Sequence, residues 1–191
     1  MADTVTCPNL DNYLNEENCL ENIGGTSAVA YYFVKSDLLT PLELTGNTYS
    51  TPTFKSGKGL YKFDLKDESQ QIQGESQGPN GGYNLTYNAI IEAVNKKTSE
   101  LSRALNNLNI GIIVPDGNTG DTQIMYDPNR RVKAEQGGIK SDTGAATSDD
   151  RQTTLEFHLN GVLYDNLYVT APNDGWDSLL ASANPAPANP Q

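Results

Sequence analysis

Hydrophobic and polar residues alternate along much of this chain, most clearly between Lys58 and Val94. The alternation runs through residues 61–65 and again through residues 83–93. A period of two places the apolar side chains on one face of a pleated strand and the polar ones on the other. Residues 78–82 read Gly-Pro-Asn-Gly-Gly, which indicates a turn between the two segments. The pattern predicts a long β-hairpin whose arms each exceed ~10 residues, against a usual strand of about 5–6.

A single helix is predicted directly after this hairpin, from Thr98 to Leu108. Leu101, Ala104 and Leu105 continue to Leu108 at a spacing that forms one apolar stripe. Thr98 is the predicted N-cap, because its hydroxyl can accept a hydrogen bond from a free backbone N–H of the first turn. A helix with one apolar face packs against a sheet.

Further strands are predicted at residues 27–35, 110–114, 122–126, 153–159 and 162–169. The last two are separated by Asn160-Gly161, a dipeptide typical of two-residue hairpin turns. The predicted fold is therefore mainly β with one packing α-helix: a β-sandwich or half-barrel with a long β-hairpin and extended loops.

The chain divides into three predicted regions. Residues 1–25 form an irregular N-terminal segment, residues 26–171 form the β domain, and residues 172–191 form an extended tail that ends in a Pro/Ala-rich stretch. The connection of residues 36–53 is long for a loop and contains several leucines, which either dock onto a neighbouring subunit or fold back onto their own core. The candidate subunit-contact residues are Leu38, Leu39, Leu42, Leu44, Phe54, Ile72 and Trp176.

Composition narrows the function classes. Charged residues make up only 19% of the chain, and Asn, Gly, Ser, Thr and Tyr are abundant, which favours a β-rich body. The net charge of −11 argues against wrapping nucleic acid, because phosphate neutralisation needs clustered Lys and Arg. An acidic surface serves either solubility alone or the repulsion of a passing polyanion.

No catalytic or cofactor-binding motif is found. His158 lies in a regular predicted strand, and the glycine-rich turn lacks the Lys and Ser/Thr of a phosphate-binding loop. Asp116, Asn118 and Asp121 resemble a calcium loop only superficially, since the Gly and closing Glu are missing. We expect a protein that is not an enzyme and holds neither a metal nor another cofactor.

The N-terminal sequence carries neither a signal peptide nor an apolar run long enough for a membrane span. Cys7 and Cys19 are close enough in sequence to form a disulfide, but nothing indicates an oxidising compartment. We predict two free thiols and no association with a membrane.

In its order of elements the chain resembles the tail tube and tube-like ring proteins of tailed bacteriophages, particularly those that infect Bacteroidetes. The stretches that carry the resemblance are Cys7, Cys19 and Ile23-Gly24-Gly25 before Tyr31-Tyr32-Phe33-Val34; the long hairpin, the helix and Ile112 to Asn118; and Gly137-Gly138-Ile139, Gly144-Ala145-Ala146, Asp149-Asp150 and the strand from Thr153 to Leu159. The insertion of Gly117 to Gly120 and the Pro/Ala tail depart from the family pattern.

The resemblance implies a tail-tube-like β-sandwich that assembles into stacked homo-oligomeric rings, six copies to a ring, whose inner strands join into one barrel. The implied partners are other copies of this chain and other phage tail or neck proteins, with DNA only as non-specific passing cargo. The implied location is the virion tail or neck, after assembly in the host bacterial cytoplasm. The alternative is a β-sandwich receptor- or glycan-binding module of a virion or cell surface.

Overall fold

The computed structural model describes residues 26–116, 120–146 and 148–181, and the fold of this part is mainly β, as the alternation predicts. The strands are β1 (Val29–Val34), β2 (Leu44–Thr45), β3 (Thr48–Tyr49), β4 (Tyr61–Asp64), β5 (Gln71–Ser76), β6 (Tyr83–Ile91), β7 (Ile110–Pro115), β8 (Thr122–Met125), β9 (Ile139–Asp142), β10 (Gln152–Val162) and β11 (Tyr168–Val169). One α-helix, α1, spans Lys96–Asn107, and short 3-10 helices span Lys35–Asp37 and Trp176–Leu179.

The strands form two sheets. The larger has seven strands in the order β2-β3-β11-β8-β7-β1-β4, and the smaller has four in the order β5-β6-β10-β9. Neighbouring strands are antiparallel except β3 and β11. The long strands β6 and β10 pair along nearly their whole length and form the centre of the smaller sheet.

The two sheets pack face to face around an aromatic core. The hydroxyl of Tyr32 on β1 donates to the hydroxyl of Tyr87 on β6 (2.9 Å), which donates to Oε1 of Gln70 (2.8 Å). The Gln70 side chain in turn donates to the carbonyl oxygen of Ser27 (2.6 Å). Because each buried polar group has a partner, this chain of hydrogen bonds joins the sheets without leaving an unsatisfied group.

The opposite face of the larger sheet is covered by loops instead of a third layer. Phe33 and Tyr126 project from this face and pack against each other, with Phe54 against Phe33 and Tyr49 against Tyr126. The segment that follows β11 completes this cover. Residues 36–60 and 172–181 therefore belong to the folded domain.

The long hairpin is the clearest difference from the sequence-based prediction. Residues 61–64 form β4, which pairs with β1 in the larger sheet, whereas β5 pairs with β6 in the smaller one. A turn at residues 66–69, with Glu68 at φ 57°, redirects the chain between the sheets. The prediction of one arm longer than ~10 residues was wrong, because alternation reports which residues are buried and not which sheet buries them.

The Asn160-Gly161 dipeptide is a β-bulge and not the predicted hairpin turn. The strand β10 continues through it to Val162, and its register against β6 shifts between Asn160 and Val162. Gly161 has φ 76°, which suits the extra residue of a bulge, and its N–H bonds to Oδ1 of Asn84 (3.1 Å). A positive φ favours Gly in a tight turn, and here the bulge requires the same backbone conformation inside a strand.

The helix α1 begins two residues earlier than predicted, and its N-cap is Asn95 and not Thr98. Oδ1 of Asn95 accepts from the N–H of Thr98 (3.0 Å), and the Thr98 hydroxyl accepts from the N–H of Asn95 (2.8 Å). This capping box satisfies two backbone donors that the helix itself leaves free.

Replacing Asn95 by alanine should lower the free energy of unfolding by about 1 kcal/mol, since the cap and its reciprocal bond are lost together. Urea denaturation followed by circular dichroism measures the change. The exposed Lys97 on the same turn is the matched control, and Lys97→Ala should shift the midpoint much less. An unchanged midpoint for Asn95→Ala would contradict the assigned cap.

Several predictions fall outside the described residues. These are the irregular segment 1–25 with Cys7 and Cys19, the turn at 117–119, and the end of the chain from residue 182. In the described part of the chain, no helix is long and apolar enough to cross a membrane.

Candidate subunit interface

The structure separates the predicted contact residues into two groups. Leu38 and Leu42 are buried in the subunit's own core. This part of the connection therefore folds back onto its own subunit, which is one of the two predicted alternatives. Trp176 is also buried, at 8% exposure, and its ring lies 6.2 Å from that of Tyr31. These three side chains stabilise the subunit and present no surface to a neighbour.

The other predicted contact residues are more accessible. Phe54 and Ile72 are half-buried and pack against the core. Leu39 is 63% exposed and Leu44 is 37% exposed, both on the 36–50 loop. Leu39 and Leu44 are therefore the predicted contact residues that the subunit leaves most exposed.

The segment that carries Trp176 is held by a polar cluster at the surface. Oδ1 of Asp177 accepts from the Tyr31 hydroxyl (2.8 Å) and Oδ2 from Nζ of Lys62 (3.1 Å). Hydrogen bonds from Tyr31 and then Lys62 hold the pKa of the Asp177 carboxyl below its ordinary value. We call residues 172–181 the C-terminal strap, since they cross the larger sheet and bridge Leu60 through Leu180. The predicted domain boundary at residue 171 therefore lies too early.

One edge of the smaller sheet is β5, and its outer side is unpaired. The N–H of Gln77 donates to the carbonyl of Gly82 (2.9 Å). In an antiparallel pair every second residue bonds to the partner strand, so Gln77 sets which residues of β5 bond to β6. Ile72, Gly74 and Ser76 then direct their N–H and C=O groups away from β6. Within the described part of the chain these groups have no backbone partner.

The opposite edge is β9, which is open in the same way. The N–H of Glu156 bonds to the carbonyl of Gly138 (2.7 Å), so Ile139 and Ser141 direct their backbone groups outward. No strand among the described residues pairs with that side of β9. The smaller sheet thus has two unpaired edges, the arrangement by which sheets of separate chains join.

The outer face of the smaller sheet is uncovered and polar. Its residues alternate with the buried ones of β6 and β10 and lie in register with outward residues of β5 and β9. The face consists of Gln71, Gln73, Glu75, Asn84, Thr86, Asn88, Ile90, Lys140, Thr154, Glu156, His158 and Asn160. Amides and hydroxyls dominate, and only one lysine is present.

His158 has two partners that the sequence did not reveal. Its Nδ1 lies 3.2 Å from the Thr86 hydroxyl and its Nε2 lies 3.0 Å from Oε1 of Glu156. Thr86 is directly opposite His158 in the strand register, so the contact is an ordinary cross-strand pair. The three groups lie on the outer face of the smaller sheet, where the N–H groups of Glu156 and His158 donate to the carbonyls of Gly138 and Lys133 and are not free to stabilise an oxyanion.

An apolar groove of about 270 Å³ lies between α1 and the larger sheet. Leu101, Leu105 and Leu108 line one wall, and Tyr61 and Phe63 of β4 line the other. Leu108 and Tyr61 are 40% and 42% exposed, so the groove is open to solvent. The predicted apolar stripe of the helix does face the sheet, but it covers only part of it.

Leu163 is the most exposed large hydrophobic residue of the described chain, at 75%. It follows the bulge of β10 in the loop that leads to β11. Leu163 falls inside the strand predicted at residues 162–169, so its exposure in a loop was not predicted. The signal was the Asn160-Gly161 dipeptide, which marks the point where the regular alternation ends.

No three Cys, His, Asp or Glu side chains converge on a metal-sized site within residues 26–116, 120–146 and 148–181. Searches against protein-family models, curated proteins and solved structures found no match for this chain.

Proposed function

We propose that this protein is a virion structural protein of a tailed bacteriophage that assembles into closed rings of the tail tube or neck. The observation that carries the proposal is the smaller sheet, which combines two open edges with one uncovered polar face. In a closed ring the β5 edge of each copy pairs with the β9 edge of the next. Ring closure removes the unpaired edges that would otherwise promote aggregation.

The dimensions suit a conduit. Six copies of a four-stranded sheet, the number that the family resemblance implies, would close into a barrel roughly 40–50 Å across between backbones, at ~4.8 Å per strand and a strand tilt of ~40°. The polar face of the smaller sheet then lines the lumen. Its amides and hydroxyls offer DNA phosphates almost no cations, so a genome passes without binding tightly.

The placement of aromatic residues supports a structural role over the alternative of glycan binding. A glycan-binding site would present aromatic rings at the surface. Among the described aromatic residues, Tyr61 is exposed, while the others are buried or half-buried. Tyr61 lies in the groove beside α1 and does not project from a loop.

Proline at either open edge should block ring formation. Ser76→Pro on β5 and Ser141→Pro on β9 each remove an outward N–H without removing a backbone hydrogen bond inside the sheet. Ser141→Pro also removes the hydroxyl that lies 3.3 Å from the Thr153 hydroxyl, so Ser141→Ala is its stability control. We expect each variant to need at least about tenfold more protein to form rings than the unmodified chain, because the lost bond recurs at every interface. Negative-stain microscopy and light scattering measure ring formation, and urea denaturation shows whether the subunit remains folded.

Asp64→Pro is the matched control, since it removes an outward N–H from β4, the edge of the other sheet. The N–H of Leu65 bonds to the carbonyl of Ala28, so Asp64 faces away from β1 by the same alternation. Rings that form equally well with proline at positions 76 and 141 would refute edge pairing. A chain that remains monomeric at every concentration would refute the proposed function itself.

A further inference from the structure

The loop that carries Leu163 reaches the β5 side of the smaller sheet, and the apolar groove connects to its β9 side. Gly74 of β5 is opposite the buried Leu85, and a Cβ atom at Gly74 would overlap the carbonyl of Asp165, so the loop passes under the core-facing side of β5 and leaves the outer edge open. On the other side, Lys133 pairs with His158 on the flank of β10 that carries β9. The adjacent Val132 bridges Ile110, which lines the groove.

Both features also lie at the same end of the sandwich. A Cβ atom at Gly161, two residues before Leu163, would come within 3.4 Å of the Arg130 side chain. The neighbouring Arg131 donates from Nη2 to the carbonyl oxygens of Asn107 (2.9 Å) and Leu108 (3.3 Å). Because Arg130 and Arg131 are consecutive, the end of β10 and the end of the groove at Leu108 lie at the same end of the subunit.

We infer that Leu163 of one copy inserts into the groove between α1 and β4 of the next copy. This inference rests on the proposed ring, because pairing β5 with a neighbouring β9 brings the Leu163 side of one copy against the groove side of the other. The chemistry matches: the groove wall is almost wholly apolar, and Leu163 is an apolar side chain that its own subunit leaves exposed between the buried Val162 and the half-buried Tyr164. Leu163 and the groove therefore form the apolar part of a subunit contact whose polar part is the strand pairing.

Leu163→Asp tests the contact directly. Because the side chain is 75% exposed in the single subunit, the variant should keep the unmodified urea midpoint. We expect the protein concentration needed for rings to rise about tenfold or more, since a carboxylate would have to enter an apolar groove at every interface. Asn173→Asp, which adds the same charge at an exposed position of the C-terminal strap, is the control and should leave the rings intact.

A cross-link provides the second test. In a chain with Cys7→Ser and Cys19→Ser, the pair Leu163→Cys and Leu108→Cys should form disulfides between copies on mild oxidation. Denaturing electrophoresis should then show a ladder of linked subunits that neither single cysteine variant gives. Intact rings with Leu163→Asp together with no cross-link would overturn this inference and leave the ring proposal standing. Absence of rings from the unmodified chain would overturn both.

Discussion

Replacing Trp176 by alanine will lower the free energy of unfolding by about 3–5 kcal/mol, the usual loss for a large buried aromatic residue. The indole is buried and packs on Tyr31, and it anchors the C-terminal strap across the larger sheet. Backbone bonds of the strap to Leu60 depend on this anchor: Leu60 donates to the carbonyl of Leu179 (2.8 Å) and accepts from Ala181 (3.0 Å). The loss therefore includes part of the strap and not only one side chain.

Urea denaturation followed by tyrosine and tryptophan fluorescence for the unmodified chain, and by circular dichroism for the variant, measures this loss. Asp174→Ala is the matched control, because Asp174 lies two residues away in the same strap and is exposed. The free energy of unfolding of this control should stay within about 0.5 kcal/mol of that of the unmodified protein. A loss below about 1 kcal/mol for Trp176→Ala would show that the strap contributes little to the fold.

The strap illustrates what alternation can and cannot predict. The hydrophobic pattern located β1, β6, β7, β8 and most of β10. The strands β6 and β10 alternate because they bury one face, whereas β1 and β7 are apolar throughout because they bury both. Trp176 lies in a segment without periodicity, so its burial depends on a contact with β1 that is distant in sequence. For the same reason Leu38 and Leu42, read from sequence as candidate contacts with neighbours, proved to be core residues.

The candidate interface was predictable to a different extent. The turn at residues 78–82 and the polar positions of β6 follow from sequence, and together they define one strand pair of the smaller sheet. That β4 and β5 belong to different sheets depends on the turn near Glu68, whose positive φ no sequence signal announces. A sequence interpreted as one long hairpin therefore does not predict the open edge at β5 and the groove beside β4 as two separate surfaces.

The tyrosines of the core make the fold sensitive to alkaline pH. Burial raises the pKa of the hydroxyl groups of Tyr31, Tyr32, Tyr49, Tyr87 and Tyr126 above their ordinary value. An unfolded tyrosine ionises near pH ~10, whereas each buried one keeps its proton to higher pH. The unfolded state therefore loses protons first, so this contribution to stability is complete below pH ~10 and is lost as the pH rises toward the folded pKa.

Above pH ~10 the free energy of unfolding should fall by up to about 1.4 kcal/mol per pH unit for each of these tyrosines. The five together exceed the stability of a typical domain within one to two pH units, so unfolding should be cooperative and release tyrosinate in a single step. Urea midpoints measured between about pH 8 and pH 11, with tyrosinate absorbance recorded in parallel, test this expectation.

Tyr32→Phe is the informative variant, because it removes one ionisable hydroxyl and leaves the ring contact with Phe63 in place. The variant should be less stable near neutral pH, since Tyr87 loses a hydrogen-bond donor to its hydroxyl oxygen. Its stability should nevertheless fall less steeply above pH ~10, by about one tyrosine's share. Equal slopes in the two proteins, or tyrosinate that forms gradually before unfolding, would mean that these hydroxyls exchange protons with solvent in the folded subunit.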